Sequence, residues 1–315
     1  MGTFMNSVQP VAFGQQEVAA PSRRLHPWRH VWGHSSVRIG TATLLMLVAM
    51  AFLAPWLGTV DPTAIDTANI NVPAGTRAPF TDLSGESHPH LFLLGADGFG
   101  RDVWSRVAYG ARVSLVVGLC VAVLSLALGG ATGLLAGYFR RLDGLLMRLM
   151  DGLMAIPNIL LAIALVTMWR PSLLTVVLAI AIPELPRVAR LLRAVALSVR
   201  EEPYVEAAIA QNTPTWKVLW RHVLPNATAP VIVQATYVFA SAMLVEAILS
   251  FLGIGLSAET PTWGNIMSEG RISFTEHPGN VLFPGAFLAV TVLAVNILGD
   301  GLRDTLDPKM RRRGA

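Results

Sequence analysis

The sequence predicts an all-α integral membrane protein of six transmembrane helices. Hydrophobic residues make up 53% of the chain and charged residues only 14%. The apolar residues gather into six runs near 38–57, 113–139, 149–169, 173–199, 229–251 and 281–302, each long enough for the about 20 helical residues that cross a hydrocarbon core. Lys and Arg are the third observation. With both termini placed inside, 18 of the 24 fall on the inner side and 6 on the outer, the asymmetry that orients multi-pass proteins. The net charge of +4 therefore reflects topology and points to no nucleic-acid partner.

Each element follows in order. Residues 1–25 are polar and mixed. A basic, Trp-bearing segment then runs through His26, Trp28, Arg29, His30, Trp32 and His34, suited to the inner membrane interface. His26, His30 and His34 share a helical face, but Gly33 weakens that helix and no acidic or Cys partner is near, so no metal is assigned. The first run has no small-residue cleavage site and reads as a retained span, not a removed signal peptide. Residues 61–93 are rich in Pro, Gly, Thr, Asn and Asp with little periodicity, and read as an outer loop too short for a second domain. Gly95, Gly98 and Gly100 follow; with no strand before them they read as tight-turn residues, not a phosphate cradle.

The second span carries Gly129, Gly133 and Gly137 at intervals of four, a smooth stripe for close packing within its own bundle or against a partner. Cys120, the single cysteine, reads as a buried apolar thiol. The fourth span contains Pro183 and Pro186 around Glu184, which predicts a kink.

Between the fourth and fifth spans lies a polar, helix-forming stretch, Glu206-Ala207-Ala208-Ile209-Ala210-Gln211-Asn212, closing at Leu224-Pro225. Asn212 is suited to the left-handed conformation that ends a helix. Thr213 is expected to cap a second helix with Pro214 at its first position. That helix would carry Trp216, Lys217, Trp220 and Arg221, and Pro225 is expected to stop it.

Glu246 is the clearest ionisable residue inside an apolar span. Its cost there predicts that it faces the bundle, a partner or a watery cavity, serving an interhelical contact or a translocation path. Asp151 and Glu184 lie nearer the inner boundary, where Arg148 or Arg187 can offset them. Nothing supports nucleophilic or metal-assisted catalysis. A Walker-type phosphate loop needs Gly-Lys, and the only lysines are Lys217 after Trp216 and Lys309 after Pro308. Any ATP must be hydrolysed by another chain.

Several widely spaced motifs stand together: Leu94-Gly95 with Gly100-Arg101-Asp102; Ser105-Arg106; Tyr109-Gly110-Ala111-Arg112; Met147-Arg148 with Asp151; Tyr204 through Ala208; Arg221-His222 with Leu224-Pro225-Asn226; Glu246 with Ser250-Phe251-Leu252-Gly253; Trp263-Gly264-Asn265; and Leu298 through Asp304 with Leu306-Asp307-Pro308. In that order they resemble the C-type permease subunits of the dipeptide, oligopeptide and nickel ABC importers. The family usually has Gly where this chain has Asn212, and often Thr at Ala96. The resemblance implies a type I importer (MetI-like) bundle in a bacterial inner membrane: a cytosolic tail and interfacial segment at 1–37, the first span at 38–57, an external region at 58–112, a five-helix permease core at 113–303 and a basic cytosolic tail at 304–315. It also implies that 201–225 is the cytosolic "EAA" loop, which docks on the ATPase through Glu206, Ala207, Ala208, Asn212, Trp216, Arg221, Leu224 and Pro225. The implied partners are a second homologous permease, two ATPase subunits that use ATP and Mg, and an external solute-binding protein, with no cofactor on this chain. Close relatives carry peptides, nickel chelates or glutathione, so the solute stays open. An ion-coupled secondary transporter is the main competing class; it predicts several charges at mid-membrane and no docking loop. A membrane anchor for the ATPases is a third.

Overall fold

The computed structural model describes residues 32–306. Helix α1, Ser35–Leu53, continues into a 3-10 turn at Ala54–Trp56. Helix α2, Val103–Tyr138, starts ten residues before the predicted span, because Asp102 caps it by accepting from Ser105 N–H at 2.8 Å, and because Val103, Val107 and Ala111 are buried in the core. After it come α3, Arg140–Met154; α4, Asn158–Met168; α5, Leu173–Arg200; and α6, Pro203–Ala210. Helix α7 runs over Thr215–Phe251, and α8, Trp263–Gly270, and α9, Gly279–Leu306, complete the described helices.

Four helices are long and apolar enough to cross a membrane: α1 with its 3-10 turn, α2, α7 and α9. The predicted third span is not one helix. It divides into α3 and α4, which meet at 88°; Pro157, with no N–H to donate, stands at the break. The predicted fourth span is α5, which stays helical through Pro183 and Pro186.

The core is built where α5 lies along α2. The Gly stripe faces this chain's own bundle: a Cβ at Gly129 would meet Leu185 O at 2.8 Å, and one at Gly137 would meet Ala196 Cβ at 2.6 Å. Removing side chains there lets the two backbones approach and brings Val117, Val121, Ile180, Val188 and Leu192 into one buried cluster. Cys120, expected to be buried, is exposed on the outer face of α2, where an apolar thiol suits a lipid or subunit contact.

The outer segment corrects the loop expectation for 61–93. Strands β1, Thr76–Thr81, and β2, Ser87–Phe92, pair antiparallel with Pro79 opposite Pro89. A proline in each strand and the absence of a long alternation hide this hairpin in the sequence. Phe80, Phe92, Ala64 and Ala96 bury a small core beneath it. Asp66 ties it down, accepting from Asn69 Nδ2 at 2.8 Å and from the Thr81 N–H at 2.9 Å. Burial by itself would raise the Asp66 carboxyl, but hydrogen bonds from Thr81, Asn69 and Ala68 outweigh it and hold the group below its usual range. Gly95 and Gly100 are turn residues with positive φ, as expected; a Cβ at Gly100 would collide with the Asp66 carbonyl.

Candidate functional site

Pro203 opens α6 and Gln211-Asn212 close it. Asn212 adopts φ 57°, the left-handed conformation anticipated for it. Its N–H donates to Ile209 O at 2.9 Å, and the Thr213 N–H donates to Ala208 O at 3.1 Å. These two bonds form a Schellman ending that satisfies carbonyls the helix leaves free. Two expectations fail at the next step. Pro214, not Thr213, occupies the cap position of α7, and no side chain caps it. Nor does Pro225 stop the helix: a π turn over Leu219–Val223 leads directly into Leu224–Phe251, with Pro225 in the first turn of that segment. The wider π spacing absorbs the hydrogen bond that Pro225 cannot make, so the chain remains helical for 37 residues.

The loop is held to the bundle from beneath. Val205, Val218 and Val223 pack with Ala196 and Val199 of α5, and Arg200 donates to Tyr138 O at 2.9 Å. The opposite side is open. Glu206, Ala207, Asn212, Arg221 and Pro225 are exposed, with Ala208 and Leu224 half-buried. Trp216 is 69% and Trp220 72% exposed. Two exposed indoles beside a small-residue helix form a surface suited to a protein partner, since burying large aromatic groups dominates such contacts.

Glu246 lies on the same continuous α7 as Trp216 and Arg221. It is 1% exposed. Ser250 Oγ donates to its Oε1 at 2.8 Å, and Oε2 is buried without a partner among the described residues. Here α8 crosses α7 closely, since a Cβ at Gly264 would meet Ser250 Cβ at 2.7 Å. The side chain therefore sits between helices. Glu184 pairs with Arg187 at 3.2 Å as expected, and it also accepts from Ser241 Oγ of α7 at 2.9 Å. Asp151 pairs with Arg190 of α5 at 2.9 Å, not with Arg148 or Arg187.

One charged cluster was not anticipated. Arg101 and Arg106 converge on Asp97 and on Glu269 of α8, with Arg106 Nη1 to Asp97 Oδ2 at 2.6 Å and Arg101 Nη2 to Glu269 at 2.5 Å. This network fastens the loop before α2 to α8. A signal existed: Arg106 stands among Val103, Val107 and Ala108, where an arginine requires a partner. Among the described residues no group of three or more His, Cys, Asp or Glu could hold a metal ion; His26 and His30 lie outside them.

Comparison with known proteins accords with this architecture. Residues 129–312 match the family described as the binding-protein-dependent transport system inner membrane component. A Brucella abortus protein bearing the name of a peptide transport system permease is 44% identical over 301 residues, 96% of this chain and 95% of its own length. A Sinorhizobium fredii protein named as a peptide ABC transporter permease is 47% identical over 280 residues, 89% of this chain and 91% of its own. The dipeptide transport system permease DppC of Alkalihalophilus pseudofirmus is 41% identical over 290 residues, 90% of this chain and 91% of its own. Together with the apolar helices, these matches show that the chain belongs to the inner-membrane permease family of binding-protein-dependent ABC importers, in which ATP is hydrolysed by separate subunits.

Proposed function

We propose that this chain forms, with a second homologous permease, the pathway by which a bacterium takes up peptides or related small solutes. Two cytosolic ATPase subunits and one external solute-binding protein complete the complex. The chain itself binds no cofactor; ATP and Mg act in the ATPases. The peptide class follows from the relatives' names. The observation that carries the coupling is the open surface of α6 and the start of α7, where Glu206, Ala207, Asn212, Trp216 and Arg221 are exposed. This surface docks in a groove of the ATPase. A push on it enters α7, a helix of 37 residues that also carries Glu246, so closure of the ATPase pair moves the membrane bundle as a lever.

In this reading the fold is the six-span permease bundle. The third crossing is the bent α3–α4 pair and the fourth is α5, whose arginines 187, 190, 193 and 200 gather in its inner half. Residues 58–112 face outward, residues 113–303 form the permease core, and both termini are cytosolic. Topology is tested by cysteine labelling: Ser84→Cys reacts with an impermeant reagent in intact cells and Thr215→Cys does not. The reverse pattern overturns the orientation. Copurification with the ATPase subunits and peptide-stimulated uptake test the function itself; uptake driven by an ion gradient without ATPases would refute it.

A further inference from the structure

We propose that α3 is an interfacial helix that binds anionic phospholipid headgroups of the inner leaflet through Arg141 and Arg148. The proposal rests on the orientation argued above. Its first support is direction. The two arms of the bent third crossing meet at 88°, so only one can run along the membrane normal; α4 is the apolar arm, and α3, with its arginines and aspartates, lies across its axis. The ion pairs to α5 agree: Asp143 pairs with Arg193 and Asp151 with Arg190. Eight residues of α3, about 12 Å, thus match three residues of α5, about 4.5 Å, a spacing that fits a steep crossing.

The second support is the distribution of charge and apolar surface. Both aspartates of α3 are engaged by α5, Asp143 through two bonds of 2.5 and 2.7 Å. Arg140, Arg141 and Arg148 are exposed and form no ion pair among the described residues. Leu142, Leu145 and Leu149 share a face by helical spacing and are 39%, 71% and 59% exposed. Arg141 and Arg148, seven residues apart, border that stripe, while Met150 turns inward and is buried. An apolar stripe edged by free arginines on a helix in the membrane plane is the pattern of a surface-lying segment, leucines in the acyl boundary and guanidiniums at phosphate level.

The position of Arg148 and the second half of α3 disfavours the ATPase as occupant there. Arg190, which holds the Asp151 end of α3, lies ten residues, about 15 Å along α5, from Arg200, beyond which the docking loop begins; Arg193, which holds the Asp143 end, lies nearer. The Asp151 end of α3, with Arg148, therefore lies on the membrane side of that loop, whereas the start of α3, two residues after Tyr138, lies beside it. The counter-charge that suits free guanidiniums beside exposed leucines at that level is the anionic lipid surface.

The test uses the whole importer in nanodiscs. Leu145→Cys, in a Cys120→Ser chain whose partner subunits lack reactive cysteines, is labelled with bimane and exposed to phospholipids spin-labelled near the glycerol. Both phosphatidylcholine and phosphatidylglycerol probes should quench, the second with a preference of roughly 5-fold for each arginine at low salt. Arg141→Gln with Arg148→Gln should bring that preference near unity, and the double Lys variant should keep most of it. Equal quenching by the two probes in the parent, or no lipid quenching, overturns the proposal, as does crosslinking of position 145 to an ATPase subunit. Uptake and ATPase recovery, measured on the same preparation, report separately on the transport reading.

Discussion

Replacing Ala207 with Asp separates docking from folding. Ala207 is exposed on α6, next to Glu206, so in the chain alone the added carboxylate projects into open space. The internal cost is limited to helix propensity, below about 0.7 kcal/mol. The buried contacts that hold the loop, Val205, Val218 and Val223 on Ala196 and Val199, are left as they are. In a closely packed groove of the ATPase the same side chain overpacks, which costs about 1–3 kcal/mol. Association then weakens roughly 5- to 150-fold. The two costs differ enough to be told apart. At equal membrane abundance, the variant should insert and recover the second permease normally, lose most ATPase on purification, and fail in peptide uptake. Undiminished ATPase recovery and uptake would refute docking through this face. Loss of the second permease as well would show instead that the substitution damages the bundle.

Glu246→Gln retains an acceptor for Ser250 Oγ and should preserve assembly and uptake. Glu246→Leu strands that hydroxyl in a buried site and should destabilise the chain by about 1–3 kcal/mol, read as lower thermal stability and reduced assembly; normal assembly of the Gln variant without uptake would assign the carboxylate to the solute path instead. Asp66 makes the outer hairpin acid-sensitive. Its folded value lies below the ordinary 3.8, so its stabilisation is fully present above that value and is lost as pH falls through the lower folded one. Hydrogen-exchange protection at the Thr81 and Ala68 amides should fall in that window and become independent of pH there in Asp66→Asn. Unchanged protection in the wild type across the same range would contradict the assignment.

The sequence by itself determined the membrane class and marked the polar stretch at 201–225, and its charge sidedness carries the orientation proposed above, because bilayer crossing and charge asymmetry are written in composition over windows of about 20 residues. It also determined local backbone choices such as the left-handed Asn212, where a residue's own sterics decide. Partner choice was decided by the tertiary structure. Asp151 reaches Arg190 from another helix although Arg148 is nearer in sequence, and Arg101 and Arg106 reach Glu269 more than 160 positions away. Tertiary packing also set the length of α7, since a π turn carried the helix past Pro225. It divided the third apolar run into α3 and α4 as well: an apolar window averages over a bend, whereas Asp143 and Asp151 hold α3 against α5 and Pro157 lets the chain turn so that Ala162 and Val166 of α4 join the buried core of α5. The outer hairpin belongs to the same class, because Phe80 and Phe92 become a core only when β1 and β2 pair and Asp66 fastens them.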